Sequence, residues 1–206
     1  MILSIMAGKI LVSTAYLPPI EYFSLISKAD EVFIEREENY VKQSYRNRCY
    51  LLSAHGRQLL SVPVYLGSQH KTPVKDITID YSKRWQQVHL RAMVASYSSS
   101  PYFEFYFESL ENILSRKNDF LLDLNMELSE TILEILKMKT KISFSTSFEP
   151  PGETGNDFRY KITPKEESQF SVKEYFQVFN NGKGFVQGLS IIDLIFNMGP
   201  EAVNYL

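Results

Sequence analysis

The chain has one cysteine, Cys49, in 206 residues, so no intrachain disulfide can form. That fits a reducing compartment, and a cytoplasmic location is the expectation. A buried small hydrophobe is the plainer reading of Cys49 than a nucleophile. Long apolar runs are missing: no stretch approaches the roughly 18 consecutive apolar residues that a membrane span needs. The opening MILSIMA is too short and too uncharged to read as a signal peptide, and Met6 is an alternative start. Charge of one sign is missing too. With 22 basic and 24 acidic residues the net charge is −2, which supplies no basic field for nucleic acid or an anionic membrane. There is no GxxxxGK[ST] or GxGxxG phosphate loop, no CxxC, no HExxH and no GxSxG elbow. The three histidines, His55, His70 and His89, lie far apart, so neither a metal nor any other cofactor is expected. The glycine-rich NNGKG at 180–184 lacks the strand-before, helix-after setting of a phosphate loop and reads as a turn.

What the chain does have is an ordinary globular balance, 44% hydrophobic and 22% charged, with 13 Tyr and 14 Phe. The aromatic surplus suits a packed core, and it equally suits a sugar- or ring-binding cleft. Residues 9–14 (KILVST) read as a buried strand, Pro18-Pro19 opens a helix carrying Tyr22, Phe23 and Ile26, and residues 32–35 (VFIE) read as a second strand. Strand, helix, strand in so short a span predicts a right-handed βαβ crossover. Residues 36–45 are polar and aperiodic, a long loop or irregular helix. Residues 46–54 and 58–64 flank His55-Gly56-Arg57 as a hairpin, with Pro63 at a strand end or edge. A short strand at 77–80 follows. Helices are expected over 82–96, over 102–116 after Pro101, and from a cap at Asn118 through the stripe Leu121, Leu124, Leu128, Ile132, Ile135. Residues 142–148 alternate like a half-buried strand, and 150–169 read as a mobile loop or lid. The last helix has a Ser190 cap, Asp193 as a capping-box partner, Leu189 and Leu194 as a staple, and Gly199-Pro200 as a stop. The expectation is one α/β domain over 1–206, with α+β left open: a mixed sheet in the first 80 residues, a helical part over 81–140, then strand, loop and helix.

The densest chemistry lies between Glu35 and Arg48 (EREENYVKQSYRNR). A solvated, salt-bridged loop is the bland alternative, but this run joins two core strands. If Arg46 and Arg48 share a strand, period-2 geometry points both to one face about 6.6 Å apart, enough to grip a phosphate or carboxylate. Asn47 would then face the other way, with Cys49, and it too is counted among the residues lining the cleft. Lys42 would add charge, with Glu38, Asn39 and Gln43 as further ligand contacts. Glu35 closes the second strand, and Tyr16 follows the first. If the strands are parallel, both reach the carboxyl rim where α/β folds bind ligands. His89 shares a helix face with Trp85, Ala92 and Met93. It is read either as a hydrogen-bonded core histidine or, with Glu35, as the proton-transfer group of a cleft.

Several words along the chain resemble the WbqC-like proteins, a bacterial family often encountered among surface-polysaccharide genes. They are AYLPPIEYF, KAD, ENYVKQSYRNRC, LSVPV, WQQVHLRAMVASYSSSPYFEFY and GFVQGLSIIDLIFNMGP, in order from about Lys9 to Leu206. Relatives tend to carry His-Gln-Pro before the YLP, where this chain has Ser13-Thr14-Ala15. The resemblance implies a bacterial cytosolic protein concerned with cell-surface glycan or nucleotide-sugar metabolism. Two functions stay open. One is a metal-independent transferase acting on a small anionic or sugar-containing ligand. The other is a non-catalytic binding or assembly protein. A homo-oligomer is compatible with either.

Overall fold

The structure, a computed structural model, describes residues 8–66, 71–152, 156–166, 168–180, 182 and 184–206. MILSIMA, His70, and Asn181 and Lys183 of the NNGKG turn lie outside them. The architecture is mixed α/β. Strand β1 (Lys9–Ser13) leads through helix α1 (Ile20–Ile26) to β2 (Glu31–Glu35), and the two strands pair in parallel, as the βαβ reading requires. A later strand, β7 (Lys141–Phe144), joins the other edge of β2, also parallel, giving the order β1-β2-β7. Beyond β1 a single parallel bridge, Leu11 to Asp157, extends the sheet by one more segment. Alternation divides the faces: Ile10, Val12, Val32 and Ile34 are buried, and Leu11 and Phe33 take the opposite side.

The hairpin is β3 (Arg48–Ser53) with β4 (Gly56–Ser61), antiparallel and in register from Arg48–Ser61 to Ser53–Gly56. It starts two residues later and stops three earlier than the sequence suggests. Pro63 has no N–H to continue the ladder, so β4 ends and the chain resumes as β5 (Val64–Tyr65), paired with β6 (Thr78–Ile79). Helices α2 (Trp85–Tyr97), α3 (Phe103–Leu114) and α4 (Leu121–Ile135) match the expected series. Asn118 does not cap α4: the N-cap is Phe120, and the Asn118 backbone is held instead by the Tyr81 hydroxyl. β7 is shorter than the expected strand over 142–148, and 172–179 form neither helix nor strand.

Helix α5 (Ile191–Met198) is buried along almost its whole length and packs on α1. Ser190 caps it, accepting from the Ile192 N–H while its hydroxyl donates to the Leu17 carbonyl at 2.8 Å. Asp193 does not complete a capping box. The Ser190 N–H goes to the Tyr50 carbonyl, and the Asp193 carboxylate faces Tyr175 and Gln177. Gly199 ends the helix at φ 54°, and a Cβ there would come within 2.4 Å of the Tyr102 ring. One contiguous apolar cluster runs from Ile10 through the helices to Ala202, with Tyr16, Phe23, Tyr97 and Phe196 among its fully buried members.

Candidate functional site

Three parallel strands bring their carboxyl ends to one edge, and polar side chains gather there. Glu35, at the end of β2, is 1% exposed. Its Oε1 accepts from the Ser145 hydroxyl at 2.6 Å and the Glu37 N–H at 2.8 Å, and its Oε2 accepts from Arg159 Nη1 at 3.2 Å. Arg159, itself buried, also makes a fork to Asp157, with Nη2 at 2.6 Å, and donates to the Glu149 carbonyl. Those hydrogen bonds to Asp157, followed by the charges of Asp157 and Glu35, hold the guanidinium above its ordinary pKa against the pull of burial. Burial pushes Asp157 up, but the Arg159 hydrogen bonds and charge outweigh it and keep its carboxyl below the usual range.

A second buried ion pair lies alongside. Arg46 forks onto Glu38, with Nε to Oε1 at 2.9 Å and Nη2 to Oε2 at 2.6 Å. The side chains are 4% and 0% exposed. Ser13, at the end of β1, couples the two pairs: Arg46 Nη2 donates to its Oγ at 2.7 Å, and that hydroxyl donates to the Arg159 carbonyl at 2.8 Å. The Tyr160 ring packs against both guanidiniums, at 5.7 Å from Arg46 and 5.9 Å from Arg159. Ser13 thus ties the network together, and the neighbouring Thr14 hydroxyl accepts from Asn125.

A cavity of about 600 Å³ opens beside this corner, against Leu11, Phe33 and Phe144, with Lys9, Glu35, Ser145, Glu149, Asp157 and Arg159 around it. Its lining holds two basic residues, Lys9 and Arg159, and three acidic ones, Glu35, Glu149 and Asp157. The apolar strip offers a surface for a ring, and the polar rim offers donors and acceptors for hydroxyl or amine groups.

The residues singled out from sequence divide three ways. Glu35, Glu38 and Arg46 join the network. Arg46 precedes β3, so the strand argument that aligned it with Arg48 does not apply, and its fork is filled by Glu38 rather than open to an anion. Arg48 is half-buried, and its Nε has no hydrogen-bond partner among the described residues. Asn47 is structural, its amide donating to the Val62 carbonyl and to Ser61 Oγ. Asn39, Lys42 and Gln43 are exposed on the connecting loop, and Gln43 takes a left-handed φ of 56°.

Tyr16 and His89 sit elsewhere. After Ser13 the chain turns inward, with the Tyr16 N–H bonded to the Tyr45 carbonyl, so Tyr16 is fully buried rather than on the rim. Its hydroxyl meets His89 Nδ1 at 2.8 Å. His89 is 2% exposed, packed between Tyr16 and Trp85, and burial lowers its pKa from 6.5 to about 4. It is a neutral core histidine at pH 7, and it does not line the cavity beside Glu35.

Sequence reading missed Arg159, Asp157 and Ser145. The stretch taken for a lid is pinned at 156–160. Leu11 bonds both Asn156 and Phe158 through its backbone, and Phe158 is 2% exposed. The signal was there in Asp157-Phe158-Arg159-Tyr160, aromatic and charged residues alternating inside a polar stretch.

The family model for WbqC-like proteins matches residues 14–170 and 166–205. The chain belongs to the WbqC-like protein family. The matched span contains every member of the network except Ser13, which immediately precedes it. A similar protein is the uncharacterised protein Rv1507c of Mycobacterium tuberculosis, 27% identical over 225 positions that cover 95% of this chain and 96% of that one. No solved structure matches. No helix among the described residues is long and apolar enough to cross a membrane, and no cluster of potential ligands among them would hold a metal.

Proposed function

We propose that this WbqC-like protein binds a small sugar-containing metabolite, such as a nucleotide sugar, in the Glu35–Arg159 cavity and modifies it as a metal-independent transferase of surface-polysaccharide metabolism in the cytoplasm. The observation that carries this reading is the cavity's position and make-up. It runs over the open face of the parallel sheet, from Lys9 at the start of β1 to Glu35 and Ser145 at the ends of β2 and β7, and it sets an aromatic strip beside buried charged groups. The excess of carboxylates over cations favours the hydroxyl or amine groups of a sugar over a bare anion as the part that enters. Ser145 and Glu35 are the proton-handling pair. The Ser145 hydroxyl already donates to Glu35, and a ligand hydroxyl replacing that bond would pass its proton to the same carboxylate. Arg159 holds Glu35 in place.

The second reading is a binding or assembly protein without chemistry. It is favoured by the three donors that already satisfy Glu35 and by the burial of His89 away from the cavity. A thermal-shift screen against nucleotide sugars, acyl-CoA thioesters and amino acids, followed by mass spectrometry of incubated pairs, separates the two. Ligand consumption that Glu35→Gln abolishes supports the transferase. Stabilisation without turnover supports the binder. No stabilisation by any sugar-containing compound sinks the transferase.

A further inference from the structure

A second cavity, of about 640 Å³, lies between α1, the hairpin and residues 163–166, 168 and 186–188. Glu21 lines it from the first turn of α1. That side chain is 2% exposed, yet its Oε2 has no hydrogen-bond partner among the described residues. A buried carboxylate oxygen without a donor is costly, because it has given up water and gained nothing in exchange. Burial accordingly raises the Glu21 pKa, and its own backbone N–H, the Ser168 hydroxyl and the Arg57 charge offset the shift only in part. A hydrogen-bond donor relieves such a group, and a cation does so best.

Arg57 lines the same cavity. Its guanidinium lies 4.3 Å from the centroid of the Tyr50 ring, and one Nη2–H donates to the Gly188 carbonyl at 3.2 Å. Gly188 makes that approach feasible, since a Cβ there would stand 3.2 Å from Nη2. Anchored in this way, the fork keeps other N–H groups for an anion. Tyr45, 6% exposed, adds an aromatic wall and a hydroxyl. Lys165 and Glu166 at the rim balance one another in charge.

We propose that this cavity is a binding site for a small zwitterion, a free α-amino acid, whose ammonium meets Glu21 and whose carboxylate meets Arg57. In the first cavity Glu35 and Arg159 already hold one another at 3.2 Å, whereas here a buried acid with an unpartnered oxygen and a guanidinium stacked on Tyr50 are the complement of a molecule carrying both charges. The site is independent of the Glu35–Arg159 cavity, and it stands or falls without it.

The test is calorimetric titration of the full chain with the protein α-amino acids, together with matched amines lacking the carboxylate and matched acids lacking the amine. At least one amino acid binds with a Kd below about 1 mM. Its amine-only and acid-only counterparts bind at least about tenfold more weakly, as do the variants Glu21→Gln and Arg57→Gln. Glu35→Gln leaves this affinity unchanged. Arg57 is exposed, so its variant keeps the test valid should Glu21→Gln fail to fold. No amino acid binding to the wild-type chain overturns the proposal. So does equal binding of the matched amine, or unchanged affinity in the folded Arg57→Gln protein.

Discussion

Glu35 and Arg159 lie 124 positions apart in the chain and meet at 3.2 Å, each side chain 1% exposed, at the carboxyl edge of the parallel sheet. The contact joins the end of β2 to a segment that bridges the far side of β1, so it spans the sheet edge beside the first cavity. Ser13 extends it to the Arg46–Glu38 pair, and the two pairs form one connected network.

That network predicts asymmetric costs. Arg46→Met leaves the Glu38 carboxylate buried without its partner and is expected to destabilise by about 3–5 kcal/mol, and Glu38→Met likewise strands Arg46. Replacing both residues, Arg46→Met with Glu38→Met, removes the stranded charge and recovers most of that loss. Urea denaturation of the two single variants and the double variant gives the coupling directly. Additive losses would show that the pair does not act as a unit.

Two buried titrating groups oppose one another in acid. Asp193 has its pKa raised from 3.8 to about 6, by burial above all. The stability linked to it is fully present below about pH 4 and is lost as pH rises through 6. His89 is lowered from 6.5 to about 4, so its contribution is present above pH 6.5 and is lost as pH falls towards 4. Each shift corresponds to about 3 kcal/mol, with opposite sign, over nearly the same window. Relative to wild type, Asp193→Asn therefore loses stability on going from pH 6.5 to 4.5, and His89→Gln gains it. Denaturation midpoints across that range check both slopes, and parallel curves for all three proteins would refute the assignment.

Gly199 is expected to tolerate no side chain. Its φ of 54° strains any L-residue, and the Tyr102 ring occupies the space of a Cβ. Gly199→Ala should cost about 2–3 kcal/mol, read from the shift in denaturation midpoint. Trimming the ring with Tyr102→Ala in the same chain relieves the steric part and leaves the backbone part.

Local signals carried much of this fold in the sequence. The β-branched run at β1, the Pro18-Pro19 entry to α1 and the short VFIE strand were enough for a parallel βαβ unit, because all three act within a few residues. Ser190 and Gly199 marked both ends of α5 for the same reason. The site was only half legible. Glu35, Glu38 and Arg46 stood out by density, but their partners did not. An ion pair across 124 positions leaves no periodic trace, so the segment around Arg159 read as a polar loop. The start of β3 was misplaced by two residues, and that shift alone turned Arg46 from half of an anion clamp into the partner of Glu38. His89 fell to the core, in keeping with the Trp85, Ala92 and Met93 that share its helix face.

The account rests on the first cavity as the ligand site, and mapping amide shifts by NMR tests it most directly. The protein would be titrated with the sugar-containing compound that stabilises it most in the thermal screen. Shifts are expected at Leu11, Phe33, Glu35, Ser145, Asp157 and Arg159, with binding weakened at least about tenfold by Phe33→Ala. Failure of every nucleotide sugar and free sugar to move those amides, or shifts confined to another part of the chain, would contradict it.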